Sequence, residues 1–79
     1  MKARVYVTYK DGVLDPQGQT VCRFLQSHGE ERVHDVRIGK YIEFDVADGA
    51  RAEIEQMLGE ISDRLLANPV IESYRVELP

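Results

Sequence analysis

Three side chains in this sequence have the chemistry of nucleophiles or metal ligands: Cys22, His28 and His34. A cysteine beside a histidine can be held as a reactive thiolate, and a zinc site draws such ligands from short, characteristic spacings. The order and spacing here match neither arrangement. Cys22 falls on the flank of an apolar helical stripe, where a small buried thiol is the plain explanation. His28 falls at the end of that helix, where an imidazole complements the helix dipole. Glu53, Glu55, Glu60 and Asp63 belong to a helix whose opposite face is apolar, so they read as solvated surface. Gly12, Gly18 and Gly39 form no phosphate-cradling run, and Lys40 reads as a turn lysine. The sequence predicts no catalytic residue, no cofactor-binding residue and no metal ligand.

With no chemistry to position, the elements must be read for shape. The chain has 79 residues and one cysteine, so it predicts a single domain, 1–79, with no internal disulfide, as in a reducing cytoplasm. So small a core leaves a thin stability margin, which association with a partner would widen. No apolar run reaches the ~20 residues that cross a bilayer. Residues 1–40 carry seven basic and five acidic side chains, and residues 41–79 carry three and nine. The second half would repel a phosphate backbone, which argues against nucleic acid as a partner.

Val5, Val7 and Tyr9 alternate with Arg4, Tyr6 and Thr8, the period of a half-buried strand. Asp15-Pro16 reads as an N-cap followed by proline at the first helical position. Val21, Phe24, Leu25 and His28 continue at helical spacing until Gly29. Val36 and Ile38, then Ile42, Phe44 and Val46, form two strand-like runs, and Gly39-Lys40 between them is compatible with a hairpin. Asp48 and Gly49 open a second helix with the stripe Ala50, Ile54, Met57, Leu58, Ile61 and Leu65, and Pro69 stops it near Ala67. Val70 to Leu78 alternate once more. The predicted order is β-α-β-β-α-β: an α+β, ferredoxin-like sandwich of a four-stranded antiparallel sheet with two helices on one face.

That plan leaves one sheet face open, carrying Arg4, Tyr6, Thr8, Asp35, Arg37, Tyr41, Glu43, Asp45, Ser73, Arg75 and Glu77. Alternating arginines, carboxylates and tyrosines suit either a solvated surface or an interface.

Three stretches then carry a resemblance: Gly12-Val13-Leu14-Asp15-Pro16-Gln17-Gly18, Asp35 through Glu43, and Leu65-Leu66-Ala67-Asn68-Pro69-Val70-Ile71-Glu72. In order and spacing they resemble the PurS family over essentially the whole chain, although Glu30 stands where the family often has an apolar residue. The resemblance implies a non-catalytic assembly subunit of the cytoplasmic complex that converts formylglycinamide ribonucleotide and glutamine to the amidine. It implies a homo-oligomer, dimer or tetramer, that joins a glutaminase subunit to a large synthetase subunit and supports ammonia transfer between them. ATP and Mg are used by the complex, and none is bound by this chain. Asp15, Gln17, Gly18, Arg37, Gly39, Lys40, Tyr41 and Asn68 are the candidate contacts with a partner or a second copy. A small-metabolite-binding regulatory module and an RNA-recognition domain share the predicted topology; Glu43 and Asp45 beside Tyr41 oppose the latter.

Overall fold

The computed structural model describes all residues, Met1–Pro79. Strand β1 (Lys2–Tyr9) is followed by helix α1 (Pro16–Ser27), strand β2 (Lys40–Asp45), helix α2 (Arg51–Ile61) and strand β3 (Glu72–Glu77). The sheet has three antiparallel strands in the order β2-β1-β3. The expected fourth strand does not form. Residues 33–39 belong to no ladder, and the four-stranded expectation is corrected to three.

The reason lies in the joint at Gly39-Lys40. A hairpin requires the chain to reverse there, but the chain runs straight on into β2. A Cβ at Gly39 would sit 2.2 Å from the Val7 carbonyl oxygen, so this glycine serves close passage beside β1 and not a turn. Arg37 donates to the Tyr9 and Lys10 carbonyls, at 2.9 and 3.3 Å, just past the end of β1. The apolar positions 36, 38, 42, 44 and 46 keep one parity across the joint, which is the pattern of a single long strand.

The central strand is the most deeply buried element: Ala3, Val5 and Val7 are fully covered. α2 lays Ile54 and Leu58 over the sheet, and Phe44, Val46, Val76 and Leu78 pack around them. The N-cap of α2 is Ala50, which supplies no capping side chain. Beyond Ile61 the helix widens into a π turn, Ser62–Leu66. The buried Ser62 hydroxyl donates to the Leu58 carbonyl at 2.7 Å, and the Ala67 amide donates back to Ser62. That wider turn brings Leu66 and Ala67 to the core and leaves Leu65 79% exposed, reversing the expected stripe.

α1 begins as its sequence predicts, with Asp15 accepting from the Gly18 amide. It scarcely touches the sheet. Instead it pairs with residues 33–38 as a projecting arm: Gln26 donates to the Val33 carbonyl at 2.9 Å, and Gly18 lies against the Val36 carbonyl. Two helices over one's own sheet is therefore corrected to one. The radius of gyration is 15.9 Å, against about 12 Å for a compact chain of this length.

Candidate functional site

The root of the arm is built around one carboxylate. Asp15 is 5% exposed; its Oδ1 accepts from the Gly18 amide at 2.9 Å and its Oδ2 from the Ile38 amide at 2.8 Å. The Ile38 hydrogen bond, then that of Gly18, holds this carboxyl below its usual range against the opposing effect of burial; the Arg37 guanidinium 3.9 Å away adds to the lowering. Side chain, helix start and extended segment are thereby tied at one point. A Cβ at Gly18 would lie 2.1 Å from the Val36 carbonyl oxygen, so only glycine allows the helix this close. Beside the knot, Pro16, Gln17, Thr20, Val21 and Ile38 line an open groove of about 410 Å³.

The open sheet face is a second cluster. The Tyr6 and Tyr41 rings lie 5.2 Å apart, and the Arg75 guanidinium sits 4.3 Å over Tyr6. Arg4 and Arg75 both reach Glu77, at 3.1 and 3.2 Å, while Lys2 approaches Glu43 at 3.8 Å. The Tyr41 hydroxyl donates to Glu43 at 2.7 Å, which raises the tyrosine's pKa and lowers that of the carboxyl. The hydrogen bond from Arg4 likewise lowers Glu77. Asp35 and Arg37, expected on this face, are not part of it, because their segment has left the sheet.

Of the eight candidate contacts, Asp15, Gly18 and Arg37 meet at the knot, with Gln17 on the adjoining groove and Gly39 at the passage beside Val7. Tyr41 belongs to the open face. Lys40 and Asn68 serve the loop after α2: the Lys40 ammonium donates to the Leu66 carbonyl at 3.1 Å, and Asn68 accepts from the Val70 amide at 3.1 Å while its own amide donates to Glu72. Val70 on that loop is 78% exposed, and Leu65 nearby in sequence is 79% exposed. The sequence reading missed Phe24, 60% exposed, because it assigned the apolar stripe of α1 to this chain's own sheet, and it left unremarked Leu14, 63% exposed, which lies just before the helix. Cys22 is half-buried with its thiol 3.8 Å from the Val33 carbonyl, and His28 stacks on Phe24 and bonds its carbonyl. No three His, Cys, Asp or Glu side chains are grouped to hold a metal ion. What the arrangement offers is surface: an apolar arm, an aromatic and charged sheet face, and an apolar loop.

The family model for PurS, described as phosphoribosylformylglycinamidine (FGAM) synthase, matches residues 2–79. The phosphoribosylformylglycinamidine synthase subunit PurS of Bacillus subtilis is 46% identical over 77 residues, covering 98% of this chain and 90% of that one. The solved structure of B. subtilis PurS superposes with a TM-score of 0.85 at 46% identity, over 96% of this chain and 94% of that one. A chain in the structure of PurLQS from Thermotoga maritima superposes with a TM-score of 0.86 at 32% identity, over 96% and 93%.

Proposed function

Because this chain belongs to the PurS family, we propose that it works by being held between other subunits, presenting shaped surface to them while they carry the chemistry. It is a small non-catalytic subunit of phosphoribosylformylglycinamidine synthase, a carbon–nitrogen ligase complex of purine biosynthesis. Within that complex it self-associates and bridges a glutaminase to an ATP- and Mg-dependent synthetase, so that ammonia passes between their sites without escaping to solvent. Its setting is the cytoplasm.

The observation that carries this reading is the amount of surface left uncovered. Accessible area is 5781 Å², roughly 900 Å² more than the ~4,900 Å² of a compact 9.0 kDa monomer. A specific interface covers about 800 Å² on each partner. Asp15, Gln17, Gly18, Arg37 and Gly39 build the arm and its root, where self-association is proposed. Lys40, Asn68 and the exposed Leu65 and Val70 form the loop proposed for the unlike subunits, with Tyr41 on the open face. Reconstitution tests it. With cognate glutaminase and synthetase, adding this chain raises glutamine-dependent amidine formation while ammonia-dependent formation changes little. Equal glutamine-dependent rates with and without the chain would overturn the proposal.

A further inference from the structure

Two of the chain's three lysines converge on one stretch of main chain. The Lys40 ammonium donates to the Leu66 carbonyl at 3.1 Å, and the Lys10 ammonium donates to the Pro69 carbonyl at 2.6 Å. Lys40 opens β2 opposite Val7, and Lys10 lies just past the end of β1, so neighbouring strands reach one loop from the same end of the sheet. Neither ammonium lies within ion-pair distance of a carboxylate, although the chain carries 14. Leu66 ends the π turn, where carbonyls lack a partner within the helix and a cation suits the negative end of the dipole. The loop needs such fixing. Leu66 and Ala67 pack into the core, but residues 68–71 are all exposed, so apolar burial does not set their position. Polar bonds do: the Lys10 amide donates to the Ile71 carbonyl at 2.9 Å, and the Ile71 and Glu72 amides donate to the Asn68 carbonyl at 3.1 and 2.7 Å. What they hold out in solvent is apolar, namely Pro69, Val70 and Ile71.

Resting on the contact with unlike subunits proposed above for this loop, we infer that Lys10 and Lys40 are positioning residues. Together they form a clasp that sets residues 66–71 in the shape an unlike subunit meets. A solvated lysine keeps its rotamer freedom, and ordering two of them on one loop is offset only by what they hold. Each takes a main-chain carbonyl and no side chain, so the path of the backbone is what they fix. One anchored carbonyl, at Leu66, stands where the chain leaves the core; the other, at Pro69, stands where it is fully outside. Between them Asn68 accepts from the Val70 amide at 3.1 Å, and the ring of Pro69 fixes its own φ. The loop is thereby stiff before any partner arrives, and binding does not have to supply its ordering cost. Opening the clasp therefore weakens the hold on the partner and leaves the partner's chemistry untouched. More of this chain is then needed to reach the same maximal rate.

Methionine at both positions keeps the apolar stems and removes the donors, whereas arginine at both keeps donors. In the full chain alone, Lys10→Met with Lys40→Met is expected to speed exchange of the Ile71 and Glu72 amides about tenfold, with Ala3 and Val5 as slow as in the wild type. The arginine pair is expected to stay near the wild-type rates. Titrated into cognate glutaminase and synthetase, the methionine pair should need about tenfold more chain for half-maximal glutamine-dependent amidine formation and then reach the wild-type plateau. Each single methionine variant should shift both readouts by less, which keeps the test open if the pair does not fold. Unchanged exchange at Ile71 and Glu72 overturns the clasp. Faster exchange with unchanged half-activation overturns the positioning role, as does a lowered plateau at unchanged half-activation. Faster exchange at Ala3 and Val5 as well overturns it too, because the lysines would then support the whole fold. A wild-type chain that gives no activation overturns the underlying contact with unlike subunits, while exchange still reports on the clasp.

Discussion

The body and the arm of this molecule are made from the same kinds of residue and end in opposite states. In the body, Val5 and Val7 have no exposed surface and Leu58 has almost none; in the arm, Leu14 and Phe24 are mostly bare. Composition does not separate the two regions. The difference is who supplies the covering surface: β1, β2, β3 and α2 close on one another, whereas α1 has mainly residues 33–38 against it. An apolar stripe states that a face will be buried and is silent about the chain that buries it.

The largest break in that contrast comes from the body. Leu58→Ala removes a fully buried side chain from the contact between α2 and the sheet and is expected to cost about 3 kcal/mol, range 2–5. In so small a domain that is a large fraction of the whole, and thermal melting will show it at every protein concentration. Phe24→Ala is the matching change in the arm. It should cost under about 1 kcal/mol at high dilution, because the ring is already solvated, and it should lower the melting temperature more as concentration rises. A concentration-independent loss equal to that of Leu58→Ala would erase the distinction between the regions.

Gly18→Ala sharpens it from within. The added methyl meets the Val36 carbonyl, a main-chain atom with little room to yield, and overpacking of this kind costs about 1–3 kcal/mol. The arm should loosen while the body stays folded, so limited proteolysis is expected to become faster at residues 28–39 with the β1 amides still protected.

A smaller effect comes from pH. The Asp15 carboxyl is held below its ordinary 3.8 by the Ile38 and Gly18 amides. A depressed folded pKa contributes stability that is fully present above the unfolded value and is lost as pH falls through the folded one. Acidification from about pH 4 downward should therefore free the Ile38 amide to exchange before the core strands open, and Asp15→Asn should flatten that dependence. Glu43 and Glu77 titrate in the same direction. The smallest effect is on the open face. Glu77→Gln removes exposed ion pairs with Arg4 and Arg75, and melting should hardly register it, since such pairs contribute little in water.

These contrasts also explain what could be read in advance. β1 was legible because Val5 and Val7 alternate with Arg4, Tyr6 and Thr8, and the start of α1 because Asp15-Pro16 carries a cap and a fixed φ. Both are local physics, complete within a few residues. The fourth strand was misread because Gly39 resembles a turn residue, although the unbroken parity from Val36 to Val46 was in plain view. Strand periodicity reports which side of a ribbon is apolar and nothing about its edges. The knot at Asp15 was legible in its parts, but the meeting of Asp15 with Ile38 spans 23 residues that no local pattern links. The bare Leu14 and Phe24 were out of reach for the same reason that separates arm from body.

The π turn at Ser62–Leu66 acts like a gear tooth inserted into the tail of α2. A regular helix repeats every 3.6 residues and would have turned Leu65 inward after Ile61; the wider turn advances the wheel by one position, so Leu66 and Ala67 engage the sheet instead. The displaced Leu65 is left pointing outward, and the Leu66 carbonyl is left open to the Lys40 ammonium. Removing one residue there would re-mesh the teeth, withdrawing Leu65 from the surface and unhooking the loop that carries Asn68.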